Sequence, residues 1–123
     1  MGMKRRTGGG AEYQVFYCFY GSGKSVASER DVRMAHADIY VLVGDLEVEG
    51  DFLGIVDGNG TTVQMIYHAD DDSYWVEIPD VERQGSHGVT LGFDELVDFV
   101  KALPREFSVA AFPQLSFQLW QDE

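Results

Sequence analysis

The sequence predicts an α+β fold, in which an antiparallel sheet of about five or six strands carries one main helix on a face. Two apolar runs flank Asp57–Gly60, whose residue types accept the positive φ of tight hairpin turns. A third run, Ser73–Ile78, follows the acidic turn Ala69–Asp72, so a central three-stranded meander is predicted. The helix is predicted over Phe93–Leu103, where apolar residues recur at helical spacing and Pro104 ends the pattern.

The remaining elements are less regular. Ser25–Ala37 fits a turn, a short helix or an irregular connection, because its apolar face is thin. Pro79 is expected to stop the third meander strand, and Asp80–Gly88 is predicted to be a polar loop. Further strands are predicted where aromatic, β-branched or alternating apolar residues are dense: Glu12–Tyr20, Asp38–Leu46 and Gln114–Trp120.

Length and composition favour one domain. The 123 residues suffice for one core without disulfides or metals. Residues 1–10 are predicted to be a flexible basic and glycine-rich tail, and residues 11–123 a single domain. No apolar run approaches the ~20 residues of a membrane helix. The one cysteine, Cys18, cannot form an internal disulfide, so we expect a cytoplasmic protein.

Charge is the most informative bulk property. The chain has 21 acidic and 9 basic residues, for a net charge of −12. Residues 34–123 alone hold 18 acidic and three basic residues. Such a body repels nucleic acid and anionic membranes, and it attracts a basic protein. Solubility is the alternative explanation of the same charge.

Two stretches resemble ligand sites. Gly21–Ser25 follows a predicted strand, as a phosphate loop does, but Cys18 stands where that loop requires its first glycine. His68 and Asp70–Asp72 supply metal-type ligands, but the glycine and glutamate of a calcium hand do not follow. A solvated hairpin tip explains this second stretch, and we expect no metal, no cofactor and no catalysis. His36 and His87 are isolated in the sequence, and Cys18 is expected to pack in the core.

The stretch Tyr74–Glu77 places aromatic residues beside an acidic turn. This composition is typical of an interface hot spot, in which aromatic anchors lie inside a charged rim. Packing of the two rings on opposite faces of the sheet is the alternative. The predicted partner-binding residues are Asp70, Asp71, Asp72, Trp75, Glu77, Asp80 and Glu82.

The C-terminal two thirds or so of the chain resembles a bacterial immunity-protein family whose members bind and neutralise secreted deaminase toxins. The resemblance rests on the acidic helix start Asp94–Leu96, its end at Leu103–Pro104, the segment Pro113–Leu115, Trp120, and the meander from His68 to Ile78. It implies a non-catalytic inhibitor that blocks the basic active-site cleft of a toxin.

Two other functions stay open. A regulatory domain could bind a small ligand or nucleotide at Gly21–Ser25, and a structural subunit could form a homo-oligomer through an exposed edge strand.

Overall fold

The structure is a computed structural model that describes residues 12–120. Eight strands form one antiparallel sheet, and two α-helices accompany it. The predicted tail, residues 1–10, lies outside the described residues. The strands are β1 (Glu12–Phe19), β2 (Lys24–Val26), β3 (Val32–Ala35), β4 (Phe52–Val56), β5 (Thr62–His68), β6 (Ser73–Asp80), β7 (Gly85–Leu91) and β8 (Ser116–Leu119), and the helices are α1 (His36–Val43) and α2 (Phe93–Lys101).

The strand order is β2-β1-β4-β5-β6-β7-β8, with β3 also paired to β1. Strands β2 and β3 share one edge of β1, and a short 3-10 turn, Ser28–Arg30, separates them. The predicted α+β class and meander are confirmed. Eight strands replace the expected five or six because β2, β3 and β7 form in segments that the sequence left irregular.

The predicted strand Asp38–Leu46 is wrong, because most of this segment belongs to α1, which packs against α2. Its β-branched residues favour a strand locally, but packing overrides that preference. Ile39 and Val43, four positions apart, are buried, whereas Val41 between them is 72% exposed. The Nε2 atom of His36 lies 2.6 Å from the Val100 carbonyl oxygen and fastens α1 to α2.

The predicted loop over residues 80–88 is also wrong. Strand β6 continues through Pro79 to Asp80, and a 3-10 turn leads directly into β7. Pro79 is tolerated because the ladder to β5 ends at Glu77, so only β7 pairs with the rest of β6. Strand β7 was not predicted because it contains Gly85 and Gly88, which are unfavourable in strands. In the structure the rings of Phe117 and Trp75 pack against these two glycines.

The alternation predicted for the meander is confirmed. Val63, Met65 and Tyr67 of β5 are buried, while the residues between them are partly exposed. Both helices pack on this buried face, which we call the covered face, and α2 contributes Leu96 and Val100 to the core. The other side of the sheet, which we call the open face, carries the alternate residues of each strand.

Two buried aspartates fix the loops around the core. The Asp51 carboxylate accepts hydrogen bonds from the backbone amides of Tyr20, Glu47 and Val48. The Asp57 carboxylate accepts from the amides of Asn59, Thr61 and Phe107, the last at 2.6 Å. Each charge is therefore satisfied by three backbone donors, and Asp57 ties the C-terminal segment to the β4–β5 turn.

Candidate protein-binding surface

The open face carries a row of apolar side chains that runs across four adjacent strands. Strand register pairs Cys18 with Phe52, Phe52 with Ile66, and Ile66 with Trp75. We call these four residues the apolar row. All four are partly exposed, although most of the row consists of residue types that usually lie in a core. Apolar side chains that remain accessible to solvent in a contiguous row are typical of a protein-binding surface.

Two aromatic rings of the open face, one of them in the apolar row, pack against glycines of neighbouring strands. The Phe16 ring lies against Gly54, its register partner on β4, and the Trp75 ring lies against Gly88 on β7. A Cβ atom at either glycine would collide with the ring. Because these glycines lack a side chain, each ring can pack closely against the backbone of a neighbouring strand.

A carboxylate lies beside the two rings. The Glu77 side chain accepts a hydrogen bond from Trp75 Nε1 at 3.0 Å and another from Gln64 Nε2 at 3.1 Å. Gln64 is the register partner of both Gly54 and Glu77. Within residues 12–120, no Lys or Arg forms an ion pair with Glu77. Two neutral donors therefore orient the Glu77 carboxylate, and neither of them neutralises its negative charge.

Carboxylates border one end of the open face. The α1–β4 loop brings Glu49 to the β5–β6 turn, where its carboxylate accepts from the Ala69 amide at 2.7 Å and lies 3.4 Å from His68 Nδ1. Asp70, Asp71 and Asp72 form the tip of this turn, and all are exposed. We call Glu49 and Asp70–Asp72 the acidic rim.

The structure brings together only some of the seven predicted residues. Trp75 and Glu77 touch on the open face, and the three aspartates lie at the start of β6. Asp80 ends β6 about 23 Å away, at ~3.3 Å per residue. It belongs to the covered-face alternation and lies 3.6 Å from His87 Nε2 and 3.7 Å from Arg83 Nε. Glu82 is exposed in the following turn. The seven residues therefore do not form one contiguous surface.

The charge distribution is polarised along the chain and across the sheet. Between Met34 and Glu82 there are twelve acidic residues and no Lys or Arg. The segment that forms β2, β3 and the turn between them carries three cations, Lys24, Arg30 and Arg33. The meander and the acidic rim thus present negative charge alone, whereas the β2–β3 edge presents mixed charge.

A cleft of about 370 Å³ opens on the same face, between β1, β4 and the chain that leaves β2. Phe16, Phe52 and Gln64 line it together with Cys18 and Ser25–Ser28. The partly exposed Cys18 thus lines a cleft and is not enclosed in the core, contrary to the expectation from sequence. Gln64, which lines the cleft, is the residue that donates to the Glu77 carboxylate.

Gly21–Ser25 forms the hairpin turn between β1 and β2 and the start of β2 itself. Gly23 has a φ of +78°, and its amide donates to the Phe19 carbonyl oxygen at 2.8 Å. A phosphate loop leads into a helix whose first amides face the anion, whereas this turn leads into a strand. Among residues 12–120, no three His, Cys, Asp or Glu side chains are grouped as a metal site.

The sequence prediction named Trp75 and Glu77 as partner-binding residues but did not name Phe16, Phe52 or Ile66. Phe52 and Ile66 join Trp75 through consecutive strands of the meander, whereas Phe16 joins them through the pairing of β1 with β4, which are far apart in sequence. A usable signal was present in Gly54 and Gly88, since a glycine inside a strand often marks a place where another group approaches closely.

No helix within residues 12–120 has the length and hydropathy needed to cross a membrane. Comparison with known protein families, with characterised proteins and with solved structures finds no match for this chain. The geometry of the open face is therefore the basis for assigning a function.

Proposed function

We propose that this protein is a non-catalytic inhibitor that binds a basic protein, and that it acts as an immunity protein by covering the basic active-site cleft of a bacterial toxin. One observation carries the proposal: an accessible aromatic face with an uncompensated carboxylate is bordered by further carboxylates. The resemblance of the acidic meander and helix to deaminase-toxin immunity proteins supports the choice of partner.

The aromatic residues and the acidic residues of this surface would contribute to binding in different ways. Aromatic residues near the centre of an interface supply most of the binding energy, and a polar rim excludes water. Trp75 and Phe16 already pack against glycines in the structure without a partner, and such packing would lower the entropy lost when the partner docks. The acidic rim and the cation-free segment 34–82 accelerate the encounter with a basic surface.

A binding assay with the product of the reading frame immediately upstream tests this proposal. We expect a complex with one inhibitor per toxin and loss of toxin activity. Trp75→Ala should weaken binding by about 2 kcal/mol, or roughly 30-fold, because it removes the central anchor. Phe93→Ala removes an exposed aromatic ring from the start of α2 and serves as the matched control.

The electrostatic part has its own test. Replacing Asp70, Asp71 and Asp72 with Asn keeps the local hydrogen-bond acceptors and removes three charges from the acidic rim. The matched control removes three exposed charges elsewhere through Asp94→Asn, Asp98→Asn and Glu106→Gln. We expect the rim variant to lose most of the salt dependence of the association rate and the control to retain it. Affinity that is indifferent to ionic strength in the unaltered protein would contradict a basic partner.

A second candidate is a homo-oligomer formed through β8. In the described structure β8 pairs only with β7, and Phe117, Leu119 and Trp120 at this edge are 38%, 70% and 45% exposed. Light scattering over a range of concentrations distinguishes the two functions. A stable dimer that Leu119→Lys dissociates favours the homo-oligomer, whereas a monomer at all concentrations favours the inhibitor.

A further inference from the structure

We propose that Glu77 is the docking site for one arginine side chain of the basic partner, which makes this carboxylate the centre of the interface. The inference rests on the proposed function, because it names the group that the open face receives. An arginine site requires a carboxylate with free acceptor capacity, a flat surface for the planar guanidinium group, and space for the methylene groups of the arginine side chain.

Glu77 has the free acceptor capacity. Each carboxylate oxygen accepts one hydrogen bond from a neutral donor, Oε1 from Trp75 and Oε2 from Gln64. An ionised carboxylate offers about four lone-pair sites, so each oxygen can accept a second hydrogen bond. A guanidinium group presents two parallel N–H donors that fit both oxygens at once. The two existing donors also fix the orientation of the carboxylate, so the partner meets it already aligned.

Aromatic rings lie on either side of the hydrogen-bonded pair Gln64 and Glu77, with the Trp75 ring adjacent to the carboxylate. The Trp75 ring covers Gly88, one strand beyond Glu77, and the Phe16 ring covers Gly54, one strand beyond Gln64. Gly54 and Gly88 are three strands apart, or about 14 Å at ~4.8 Å per strand. A guanidinium that pairs with Glu77 lies within reach of the Trp75 face, where stacking and cation–π attraction favour arginine over lysine.

The cleft beside Gln64 provides space for the stem. Its volume of about 370 Å³ is bounded by Phe16 and Phe52, whose rings suit the methylene groups of a long side chain. The meander strands that carry Glu77 contain acidic residues but no Lys or Arg, and among the described residues no Lys or Arg is paired with Glu77. Charge complementarity therefore selects a cationic side chain rather than an apolar one.

Nuclear magnetic resonance with a small probe tests this site directly. The chain has two tryptophans, so a Trp120→Phe variant identifies the Trp75 indole N–H signal. The probe is Nα-acetyl-arginine amide, and its citrulline counterpart is the neutral control of the same shape. We expect a saturable shift of the Trp75 signal with the arginine probe, and a dissociation constant at least about tenfold higher with the citrulline and lysine amides.

Glu77→Gln should abolish the saturable shift while the amide spectrum stays that of the folded protein. In the complex with the toxin, the same variant should weaken binding at least about tenfold. Equal responses to arginine and citrulline, or an unchanged response in Glu77→Gln, would overturn the arginine site.

The two proposals can fail separately. If the toxin binds and Trp75→Ala weakens the complex while Glu77→Gln does not, the arginine site is wrong and the inhibitor function stands. If the arginine probe saturates the site but no basic toxin binds, the site stands and the inhibitor function is wrong.

Discussion

The two faces of the sheet are built from the same strands but are finished in different ways. On the covered face, Val15, Ile55 and Met65 have no solvent exposure, because α1 and α2 close over them. On the open face, Phe52 and Ile66 remain partly exposed, and no helix of the described residues packs over them. The covered face contributes to folding, whereas the open face retains apolar area that another molecule can bury.

Charge follows the same division. Asp51 and Asp57, the two carboxylates buried among the described residues, each accept hydrogen bonds from three backbone amides. The open-face carboxylate, Glu77, has neutral side-chain donors and spare acceptor capacity. The hydrogen bonds of Asp51 and Asp57 hold the backbone of the protein's own loops, whereas those of Glu77 come from two side chains and leave acceptor sites for a further donor.

The largest expected effect is a difference in the free energy of unfolding between two variants, in which an isoleucine is truncated to alanine on the covered face or on the open face. Ile55→Ala on the covered face should lower the free energy of unfolding by about 2–5 kcal/mol, because a buried cavity cannot relax fully. Ile66→Ala on the open face should cost only about 1 kcal/mol, because water can fill the space. Denaturant titration of both variants measures the difference, and equal losses would contradict the division between the faces.

The sequence was sufficient for the covered face where its periodicity was strong. Val63, Met65 and Tyr67 alternate cleanly, and the apolar stripe of α2 ends at Pro104, so the meander and this helix were predictable. Helix α1 was not predictable in this way, since Ile39, Val41 and Val43 also fit a strand. Only the contact with α2 decides between the two, and that contact is non-local.

The open face was predicted only in part. Trp75 and Glu77 are two residues apart on one strand, so their proximity follows from alternation alone. Phe16 reaches the same surface through pairing between β1 and β4, across the whole of α1. Strand β7 escaped prediction because Gly85 and Gly88 lower its apparent strand propensity. The rings of Phe117 and Trp75 occupy the space that those glycines leave.

The buried Asp57 carboxylate is expected to stabilise the attachment of the C-terminal segment to the rest of the fold. Asp57→Asn replaces one acceptor oxygen with an amide group that cannot accept from a backbone donor. We expect a loss of roughly 1.5–3 kcal/mol in the free energy of unfolding, as for other hydrogen bonds to charged groups. Glu106→Gln, an exposed change next to Phe107, is the control and should change stability by less than about 0.5 kcal/mol. A loss of that small size in Asp57→Asn would show that this carboxylate does not hold the C-terminal segment.

A glycine on the open face provides the next test. Gly88→Ala places a Cβ atom against the Trp75 ring, so the ring must move or the strand must shift. Overpacking of this kind costs about 1–3 kcal/mol. The displaced ring should also change Trp75 fluorescence and weaken binding of the partner. Gly58→Ala is the matched control, since its Cβ would meet no atom within 4 Å. Unchanged fluorescence in Gly88→Ala would contradict a ring fixed by the glycine.

The smallest expected effect links the two faces through Tyr67. Its ring belongs to the covered face, and its hydroxyl donates to Asp72 Oδ1 of the acidic rim at 2.8 Å. This hydrogen bond to Asp72 is the main cause that raises the pKa of Tyr67 to about 12, from an ordinary value of 10.0. The proton is therefore held more tightly in the folded protein, so the stabilisation is complete below pH 10 and is lost as the pH rises toward 12. The pKa values of Tyr13, Tyr20 and Tyr74 are also raised, so the variants must be compared with the unaltered protein. In an absorbance titration of tyrosinate, Tyr67→Phe should remove one late-titrating group, and Asp72→Asn should shift one such group to lower pH. If Tyr67→Phe left the late part of the titration unchanged, the hydroxyl would not be held by the rim, and the covered and open faces would be uncoupled at this end of the sheet.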